Sequence, residues 1–419
     1  MDDVFVIGVH GTDVGRHLER SFTDLVEEAW TGALAEAGIE PERITHAWFG
    51  NYMMDFFGGR MLRGQEVVGP LVQRGVFPDG VAIVNVEGGC ASGSLAFSSA
   101  CQHVRLGISD VALAFGAEKM HDTRRPGNEV LEWMEGGVGG LNPQAFWGPI
   151  EELAADVGTE VERGGDRSVA MDVYAIWARS HMAAYGTRPE HIAAAAAKNH
   201  TNSVGNPRAQ YRFPMTVDDV LADRTVCDPL TRAMCAPRGD AAAAVIVCNA
   251  RALAGLPSEV RDRALRVRGH AVAGARRDAR WDGERAPVRA IREVYAQTGL
   301  GPADVDLVEL HDATSFAELH LVEDLGLCAR GEGGPFTASG ATARDGQVAV
   351  NPSGGLIARG HPIGATGILM LNEVALQLRG EAGDVQVPGD PRIGLIENGG
   401  GITGNDVAVC AVTVLEGAD

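Results

Sequence analysis

The chain has 419 residues, of which 45% are hydrophobic and 22% charged, and its formal net charge is −20. This composition predicts a globular protein of two or three packed units, and the acidic charge argues against nucleic acid or an anionic membrane as a partner. No apolar run of about 18 residues occurs, so we expect no transmembrane helix. The seven cysteines contain no C-x-x-C pair, which disfavours a zinc ribbon or a disulfide framework and indicates a reduced, cytoplasmic protein.

Strand-like and helical segments alternate from the start of the chain. A strand at VFVIGV is followed by a helix over about residues 22–37, which ends at Gly38, and by a strand at ITHAWFGN. Next, VNVEGGCASGSLAF places a buried strand before Cys90 and a helix after it. This alternation predicts an α/β fold whose strands are buried on both faces.

The order of these elements recurs in the second part of the chain. The segments GIEPERI (38–44) and GLGPADV (299–305) share a helix-ending glycine, a proline turn and the start of a strand. In each part a glycine-rich turn then opens a helix and a further strand follows, as in EGGCASGSLAF with DVALAFGAE and in RGHPIGATGILML with RIGLIENGGG. The recurrence predicts a duplicated fold, although any α/β chain shows some such coincidences.

A different region separates the two parts. Residues 119–224 are rich in glycine, asparagine and aromatic side chains, which is typical of an inserted loop domain that covers a site. We therefore predict an N-terminal half made of residues 1–118 and 225–255, an insertion at 119–224 and a C-terminal half at 256–419. The arginine-rich segment 267–292 is interpreted as a surface connection, or alternatively as a contact for the phosphates of a nucleotide-like ligand.

Cys90 is a candidate nucleophile because it stands where a helix is predicted to begin. The unpaired N–H groups of a helix start favour a thiolate and lower the pKa of a cysteine below its free value of about 8.5. Gly88, Gly89 and Gly93 leave room for a substrate carbonyl, and free backbone N–H groups there suit an oxyanion hole. Taken alone, the segment is equally consistent with a small buried structural cysteine.

Three further segments carry residues suited to acyl chemistry. NPSGGLIARGHPIGATG places His361 on a glycine-rich turn before a helix, and histidine is the natural base for a thiol at neutral pH. VELHDATSF places His311 directly after a strand, where it either donates to a developing thioester or enolate oxygen or is only a polar strand end. IENGGGITG ends a strand with Asn398 and Gly401, whose amide groups would line a site.

Together, GGCASGSLAF, HDATSFAELHLVEDLGLCARGEGG, NPSGGLIARGHPIGATG and ENGGG, in this order, resemble the thiolase superfamily, most of all the sterol-carrier-type and archaeal-type thiolases. KNHTNSVGNPRAQ and DPLTRAMCAPRGDAAAAVIV are also similar to family segments. The resemblance implies a duplicated α/β fold of two similar βαβαβαββ halves in five α-β-α-β-α layers, with a loop domain inserted in the first half. It also implies a homodimer and acyl-CoA as substrate, with no bound cofactor and no metal.

The resemblance also assigns roles to residues. Cys90 is the nucleophile that accepts the acyl group, His361 activates it and His311 binds the thioester oxygen. The oxyanion or site-lining positions are Gly401, Asn398 and Glu397, and the substrate-binding positions are Ser353, Gly354 and Phe316. The enzyme implied is an acyl-CoA C-acyltransferase of the acetyl-CoA acetyltransferase or 3-ketoacyl-CoA thiolase type, in which a second acyl-CoA attacks the acyl-enzyme in a Claisen exchange.

One catalytic group of the family is absent from its usual places. The second cysteine, which removes the α-proton of the second substrate, is replaced by Ala313 in the H-D-C-F position and by Glu397 and Asn398 in the C-x-G-G-G position. Archaeal-type relatives show the same loss, so it does not exclude thiolase activity. The α-proton base stays open between Glu397 and the two histidines, because a carboxyl in an apolar pocket is tuned toward neutrality.

Two other functions remain open at this point. The cysteine and two histidines also resemble the Cys-His-His triad of ketoacyl synthases, which suggests a transferase that acylates a small aromatic acceptor of the phloroglucinol type. The aromatic residues of the insertion would then shape the acceptor pocket or simply form core. Some thiolase-like chains are instead retro-aldol lyases or scaffold subunits, a hypothesis that the intact Cys90 and His361 motifs argue against. In each case the resemblance allows a small zinc-ribbon/OB-fold companion protein.

Overall fold

The computed structural model describes residues 2–122, 127–137, 142–161, 167–276 and 278–418. The strands are β1 (Val4–Gly11), β2 (His46–Gly50), β3 (Ala82–Val86), β4 (Val111–Glu118), β5 (Thr225–Cys227), β6 (Leu230–Thr231), β7 (Ala241–Asn249), β8 (Leu265–Gly274), β9 (Leu307–Glu309), β10 (Ala349–Val350), β11 (Ile393–Thr403) and β12 (Asp406–Glu416). The helices are α1 (Phe22–Ala37), α2 (Arg63–Gln73), α3 (Ser92–Arg105), α4 (Gly127–Gly137), α5 (Pro143–Asp156), α6 (Val169–Tyr185), α7 (Pro189–Asn202), α8 (Val217–Ala222), α9 (Ala250–Ala254), α10 (Ser258–Arg261), α11 (Ala286–Thr298), α12 (Ser315–Asp324), α13 (Gly333–Ala338), α14 (Gly355–Arg359) and α15 (Thr366–Leu378).

The bounds of α1 follow from residues at its two ends. Ser21 and Asp24 form a capping box, in which each side chain accepts from the backbone N–H of the other residue, at 3.1 and 2.8 Å. At the other end Gly38 has a φ of +58°, and its N–H donates to the carbonyl oxygen of Leu34. The helix predicted over residues 22–37 is confirmed.

Ten strands form one mixed sheet in the order β10-β9-β11-β12-β8-β1-β7-β4-β2-β3. From the outer edge inward, the first half has the order β3-β2-β4-β7-β1, which is its third, second, fourth, fifth and first strand along the chain. The second half, β10-β9-β11-β12-β8, has the same order. The strand directions repeat as well, since the second, third and fourth strands are parallel and the fifth is antiparallel to both neighbours. The predicted duplication of the fold is confirmed.

Helices α3 and α15 fill the space between the two halves of the sheet. They pack on each other, and Phe97 of α3 and Leu369 of α15 share one core with Val245 of the first half and Ile396 of the second. α15 is buried on all sides over most of its length, which fits its largely apolar sequence. α1 and α2 cover the outer face of the first half, and α11 and α12 cover that of the second. The layers therefore run α-β-α-β-α, as predicted.

The inserted region lies between β4 and β7. It contains α4 to α8 and the small hairpin of β5 and β6, and the chain returns to the main sheet at Ala241. Phe146, Trp147 and Trp177 are buried in the core that this region shares with α11 and α12. Residues 123–126, 138–141 and 162–166 of the predicted insertion lie outside the described residues. The exact domain boundaries stay a prediction.

The prediction that residues 267–292 form a surface connection is wrong over the first part of that segment. Residues 267–274 all belong to β8, a central strand between β12 and β1. Leu265 and Val267 are buried, whereas Arg268 turns the other way and pairs with Glu416 at 2.8 Å. Arginines that alternate with apolar residues here mark the two-residue period of a strand.

Glycines allow the two halves to touch at the end of β4. A Cβ atom on Gly116 of β4 would lie 2.5 Å from the carbonyl oxygen of Gly364, and one on Gly364 would lie 2.6 Å from Cα of Asn51. Neither glycine has a positive φ, so it is space rather than backbone conformation that excludes a side chain. The turn with Gly364 also carries His361, so this close packing brings a histidine of the second half beside the first half.

Candidate active site

Cys90 lies in a single turn of 3-10 helix, Gly89–Ala91, between β3 and α3. The glycine-rich end of β11 crosses this turn closely. A Cβ atom on Gly89 would lie 2.9 Å from the amide nitrogen of Gly401. A Cβ atom on Gly400 would lie 2.0 Å from the carbonyl oxygen of Gly88, which directly precedes the turn. The GGC sequence of one half and the GGG sequence of the other therefore fit together because their glycines have no side chains.

His361 is held as a base that faces Cys90. Its Nε2 lies 3.1 Å from Cys90 Sγ, and its Nδ1 lies 2.8 Å from Thr366 Oγ1. The Thr366 hydroxyl donates its single hydrogen to the carbonyl oxygen of Pro362 at 2.9 Å, so its oxygen is left to accept from Nδ1–H. We infer that Nδ1 carries the ring proton and that the Nε2 lone pair points at the thiol.

His311 forms the opposite wall of the site. It follows β9, and its ring centroid lies 5.2 Å from that of His361 in an edge-to-face arrangement. Burial lowers the pKa of His311 to about 4, so the ring is neutral at physiological pH and has one N–H donor. Ligand atoms of Cys90, His361 and His311 lie within 4.8 Å of one another, an arrangement that would also suit a zinc ion. The expectation of no metal stays a prediction.

Two backbone N–H groups act on the sulfur of Cys90 and lower the pKa of its thiol. One is the N–H of Gly401 and the other is the N–H of Cys90 itself. An acyl group on Sγ would bring its carbonyl oxygen next to these donors, as an oxyanion hole requires. The structure thus brings together Cys90 and Gly401, which the sequence analysis names as nucleophile and oxyanion position.

The thiol of Cys90 is less acidic than the sequence analysis predicts. Burial raises its pKa to about 12, although the Gly401 amide acts in the opposite direction, and the carboxylate of Glu118 raises the pKa further. The α-helix begins only at Ser92, so its first turn does not offset the burial of a residue that precedes it. Burial therefore shifts the pKa of this thiol in the direction opposite to that expected from a helix start.

The base beside Cys90 is neutral as well. Burial, His311 and Arg359 hold the pKa of His361 well below its usual range. The resting pair is therefore a neutral thiol and a neutral imidazole. A thiolate forms only as the proton passes to His361 during attack on a substrate.

A buried carboxylate, Glu118, fixes both sides of the site, and the sequence analysis does not identify it. Its oxygens accept from the backbone N–H groups of Tyr52 and Met53 at 3.0 Å each and of Gly364 at 2.9 Å. Burial raises its pKa to about 7. The sequence feature that could have indicated Glu118 is an acidic residue at the end of a strand, β4, that is wholly buried in the structure.

Glu397 and Asn398 lie behind the site. The Glu397 carboxylate accepts from the backbone N–H of His311 at 3.2 Å and from Cys410 Sγ at 3.1 Å, and burial raises its pKa to about 7. Asn398 accepts at Oδ1 from Ser94 Oγ at 2.8 Å, which ties β11 to α3. Both side chains are engaged by protein groups because this part of β11 is buried, and neither lines the cavity around the thiol.

The predicted substrate-binding residues also lie away from Cys90. Ser353 is fully buried and donates its hydroxyl to Glu309 at 2.9 Å. Gly354 has a φ of +106° and packs against the insertion. Phe316 is fully buried on α12. These residues support the loops around the site and do not line the cavity at Cys90.

Comparison with known proteins identifies the family. Residues 4–250 match the family described as thiolase, N-terminal domain, and residues 271–413 match thiolase C-terminal domain-like. The chain is 39% identical over 418 residues to an acetyl-CoA acetyltransferase of Methanothermobacter thermautotrophicus, covering 98% of this chain and 99% of that protein. It is 34% identical to sterol carrier protein 2 of Rattus norvegicus, covering 92% of this chain and 68% of that protein. Its fold is similar to that of the Ltp2-ChsH2(DUF35) aldolase, with a TM-score of 0.74 and 22% identity, covering 99% of this chain and 98% of that one.

This chain belongs to the thiolase family. It is a thiolase-type acyltransferase, as the sequence analysis predicts. The resemblance drawn from the glycine-rich motifs around Cys90 and His361 is confirmed.

Two adjoining cavities lead to the thiol of this thiolase. The inner cavity, of about 420 Å³, is lined by Cys90, His311 and His361 among others. The outer cavity, of about 600 Å³, shares Arg238 and several neighbouring residues with the inner one. The outer cavity therefore adjoins the cavity that contains the sulfur.

The outer cavity contains functional candidates that the sequence analysis does not single out. Arg224, Arg232 and Arg238 line it, together with the aromatic rings of Tyr211 and Phe213. Arg232 and Arg238 lie in the segment DPLTRAMCAPRGDAAAAVIV, which is noted above only as similar to the thiolase family, and Arg224 precedes it. Arginines concentrated within an otherwise acidic chain are the signal that could have found them.

The neutral thiol predicts how alkylation of Cys90 depends on pH. Below a pKa of about 12 the thiolate fraction grows about tenfold per pH unit, so modification by iodoacetamide should accelerate steadily from about pH 6 to about pH 9. Peptide mass spectrometry that follows Cys90 separately from the other cysteines measures the rate. A rate already constant around neutral pH would instead demonstrate a preformed thiolate–imidazolium pair.

The Thr366 hydroxyl is predicted to hold His361 in its reactive tautomer. Thr366→Val removes the acceptor for Nδ1 at nearly constant volume, and we expect acylation of Cys90 to slow by about 10²-fold, within the range of general-base catalysis. Thr366→Ser keeps the hydroxyl and is the matched control, which should stay close to wild type. Rapid-quench mass spectrometry of the acyl-enzyme measures both variants, and equal rates in the two would exclude this role.

Proposed function

We propose that this thiolase transfers acyl groups between CoA thioesters through an acyl-enzyme at Cys90, and forms or cleaves a carbon–carbon bond in doing so. The observation that carries the proposal is the 3.1 Å contact of Cys90 Sγ with His361 Nε2, while Nδ1 is anchored on Thr366. A nucleophile, its base and a third group that orients the base are together typical of covalent catalysis.

In the first half-reaction Cys90 Sγ attacks the carbonyl carbon of an acyl-CoA while its proton passes to Nε2 of His361. The N–H groups of Cys90 and Gly401 stabilise the oxyanion of the tetrahedral intermediate. The bond between the acyl carbon and the CoA sulfur then breaks, and the CoA thiolate leaves with the proton from His361. The products are free CoA and an acyl thioester on Cys90.

In the second half-reaction an acyl-CoA loses a proton from its α-carbon, and the enolate carbon attacks the acyl carbon on Cys90. The neutral His311 donates an N–H to the enolate oxygen. We propose that His361 is the base that removes the α-proton, because it is unprotonated again and faces Cys90. Glu397 is less suited, because both of its carboxylate oxygens accept hydrogen bonds behind His311. Cys90 then leaves as a thiolate and takes the proton from His361. The same groups serve thiolysis in the reverse direction.

The outer cavity supports acyl-CoA as the donor. Arg224, Arg232 and Arg238 line it in a chain whose net charge is −20. Although Arg232 is paired with Asp223 at 2.8 Å, this group of arginines supplies locally the positive charge that CoA phosphates require. The ring of Phe213 is 48% exposed and offers a surface on which adenine can stack. Because Arg238 also lines the inner cavity, a pantetheine arm would run from this cavity to Cys90.

Intact-protein mass spectrometry after brief incubation with acetyl-CoA tests the acyl-enzyme. Wild type should gain an acetyl group and Cys90→Ala should gain none. His361→Ala keeps the thiol and should acylate about 10²- to 10⁴-fold more slowly, because it lacks the base. An adduct that persists in a folded Cys90→Ala variant would contradict the assignment of the nucleophile. If wild type reacted neither with acetyl-CoA nor with longer acyl-CoAs, the proposal of an acyl-enzyme would be contradicted.

We also propose that two copies of this chain pair through β3. This strand ends the sheet, and among the described residues it has a partner strand, β2, on one side only. Val84 on β3 is 50% exposed, and the apolar Met61 and Leu62 before α2 are exposed as well. An unpaired strand with apolar side chains suits antiparallel pairing across a two-fold axis, which buries the same surface on both subunits.

Val84→Lys should dissociate this dimer, because it places a charge in the proposed interface. Light scattering over a range of protein concentrations measures the mass. Val272→Lys on β8, whose side chain is similarly exposed at 45%, is the matched control and should leave the mass unchanged. A wild-type mass of one chain, or a dimer that tolerates Val84→Lys, would contradict pairing through β3.

Other expectations from the sequence stay predictions. The similarity to the Ltp2-ChsH2(DUF35) aldolase shows a shared fold alone, so a small zinc-ribbon/OB-fold companion is untested for this chain. The same is true of a cytoplasmic location and of the absence of a bound cofactor. None of the described helices combines the length and the apolar character needed to span a bilayer. The relatives do not favour an aromatic acyl acceptor, and the Cys90–His361 pair argues against a lyase.

A further inference from the structure

The inner cavity is much larger than an acetyl group requires. Its volume of about 420 Å³ corresponds to roughly fourteen groups of the size of a water molecule, at about 30 Å³ each. An acetyl group has only three non-hydrogen atoms, and the end of a pantetheine arm adds a few more. Roughly half of the cavity is therefore available to a longer acyl chain.

Apart from the catalytic cysteine and histidines, Glu87 and two tyrosines, the residues that line the inner cavity alone are apolar or glycine. Met134 of α4, Ala170 and Tyr174 of α6, and Ile402 and Val407 of the β11–β12 hairpin contribute to this apolar wall. Burial raises the pKa of Tyr174, so its phenol stays neutral. Apolar walls of this kind bind hydrocarbon and offer no partner to a charged group.

This wall begins at the nucleophile. Cys90 packs against the buried apolar cluster that includes Met120 and Ile363, and both of these residues line the inner cavity. The carboxylate at the cavity, Glu87, accepts from the backbone N–H of Gly89 at 2.7 Å and so belongs to the nucleophile turn. An acyl chain attached to Cys90 Sγ would extend from this turn along the apolar wall.

Small and flexible side chains give the cavity its depth. Ala170 at the start of α6 presents only a methyl group, and so does Ala313, which stands where one branch of the family carries its second cysteine. Met134 has an unbranched side chain that adjusts to ligands of different shape. A larger residue at either alanine would occupy the space of several methylene groups.

We propose that this apolar wall is a subsite for an aliphatic acyl chain of roughly six to eight carbons, so that the preferred donor is a medium-chain acyl-CoA. The inference rests on the acyl-enzyme at Cys90 proposed above and adds the class of acyl group that it carries. Each methylene buried against the wall is expected to raise the rate of acylation relative to acetyl by about fourfold.

Competition between two donors tests the subsite. Wild type is mixed with equal concentrations of acetyl-CoA and hexanoyl-CoA, quenched within one turnover and analysed by intact-protein mass spectrometry. The hexanoyl adduct should exceed the acetyl adduct by at least about tenfold. Ala170→Phe fills the wall and should lower this ratio by at least about tenfold, with Ala170→Leu as a milder variant. Ala155→Phe, at an exposed position of α5, is the matched control and should keep the wild-type ratio.

Two results would overturn the subsite while leaving the acyl-enzyme in place. One is a wild type whose acetyl adduct equals or exceeds the hexanoyl adduct. The other is a ratio that both Ala170→Leu and Ala170→Phe leave unchanged. Failure to form either adduct would overturn the proposed function itself, so the two failures are distinguishable.

Discussion

The active site depends on close contacts between backbone segments where the two halves of the fold meet. Cys90 belongs to the first half and His361 to the second, and their 3.1 Å contact requires the two turns to lie against each other. At Gly89, Gly116 and Gly364 a Cβ atom would come within 3.0 Å of backbone atoms of a neighbouring segment. Overpacking a site of this kind typically costs about 1–3 kcal/mol, and here it would also move sulfur away from nitrogen. Stability and catalysis therefore rest on the same glycines.

Buried carboxyl groups complete this framework. Glu118 connects the segment after β2 to the turn of the second half, and Glu397 holds the backbone of His311. Glu309 accepts from both the backbone N–H and the hydroxyl of Ser353, on the loop that leads to the catalytic histidine. Burial raises the pKa of each of these three groups to about 7. Each one uses its oxygens to satisfy backbone N–H or hydroxyl groups that would otherwise be buried without partners.

The features that the sequence predicts are those set by neighbouring residues. The helix from residue 22 to 37 follows from its own caps, and Cys90 and His361 each stand on a glycine-rich turn that opens a helix. The acidity of the thiol is different, because it depends on enclosure by residues distant in the chain, Glu118 among them. Arg238 could not be assigned either, since its importance comes from a position between two cavities that only the folded chain forms.

The duplication gives the two halves equivalent turns with different contents. Gly89–Ala91 precedes α3 as Ile363–Ala365 precedes α15, so Cys90 and Gly364 occupy corresponding places. Ser92 and Thr366 correspond as well, and each hydroxyl donates back to a carbonyl of its own turn, at 2.7 and 2.9 Å. Two identical halves would carry either a glycine in place of Cys90, which removes the nucleophile, or a thiol in place of Gly364, where a Cβ atom would lie 2.6 Å from Cα of Asn51. The two halves must therefore differ in sequence at these positions for this chemistry to occur, and neither half could be replaced by a second copy of the other.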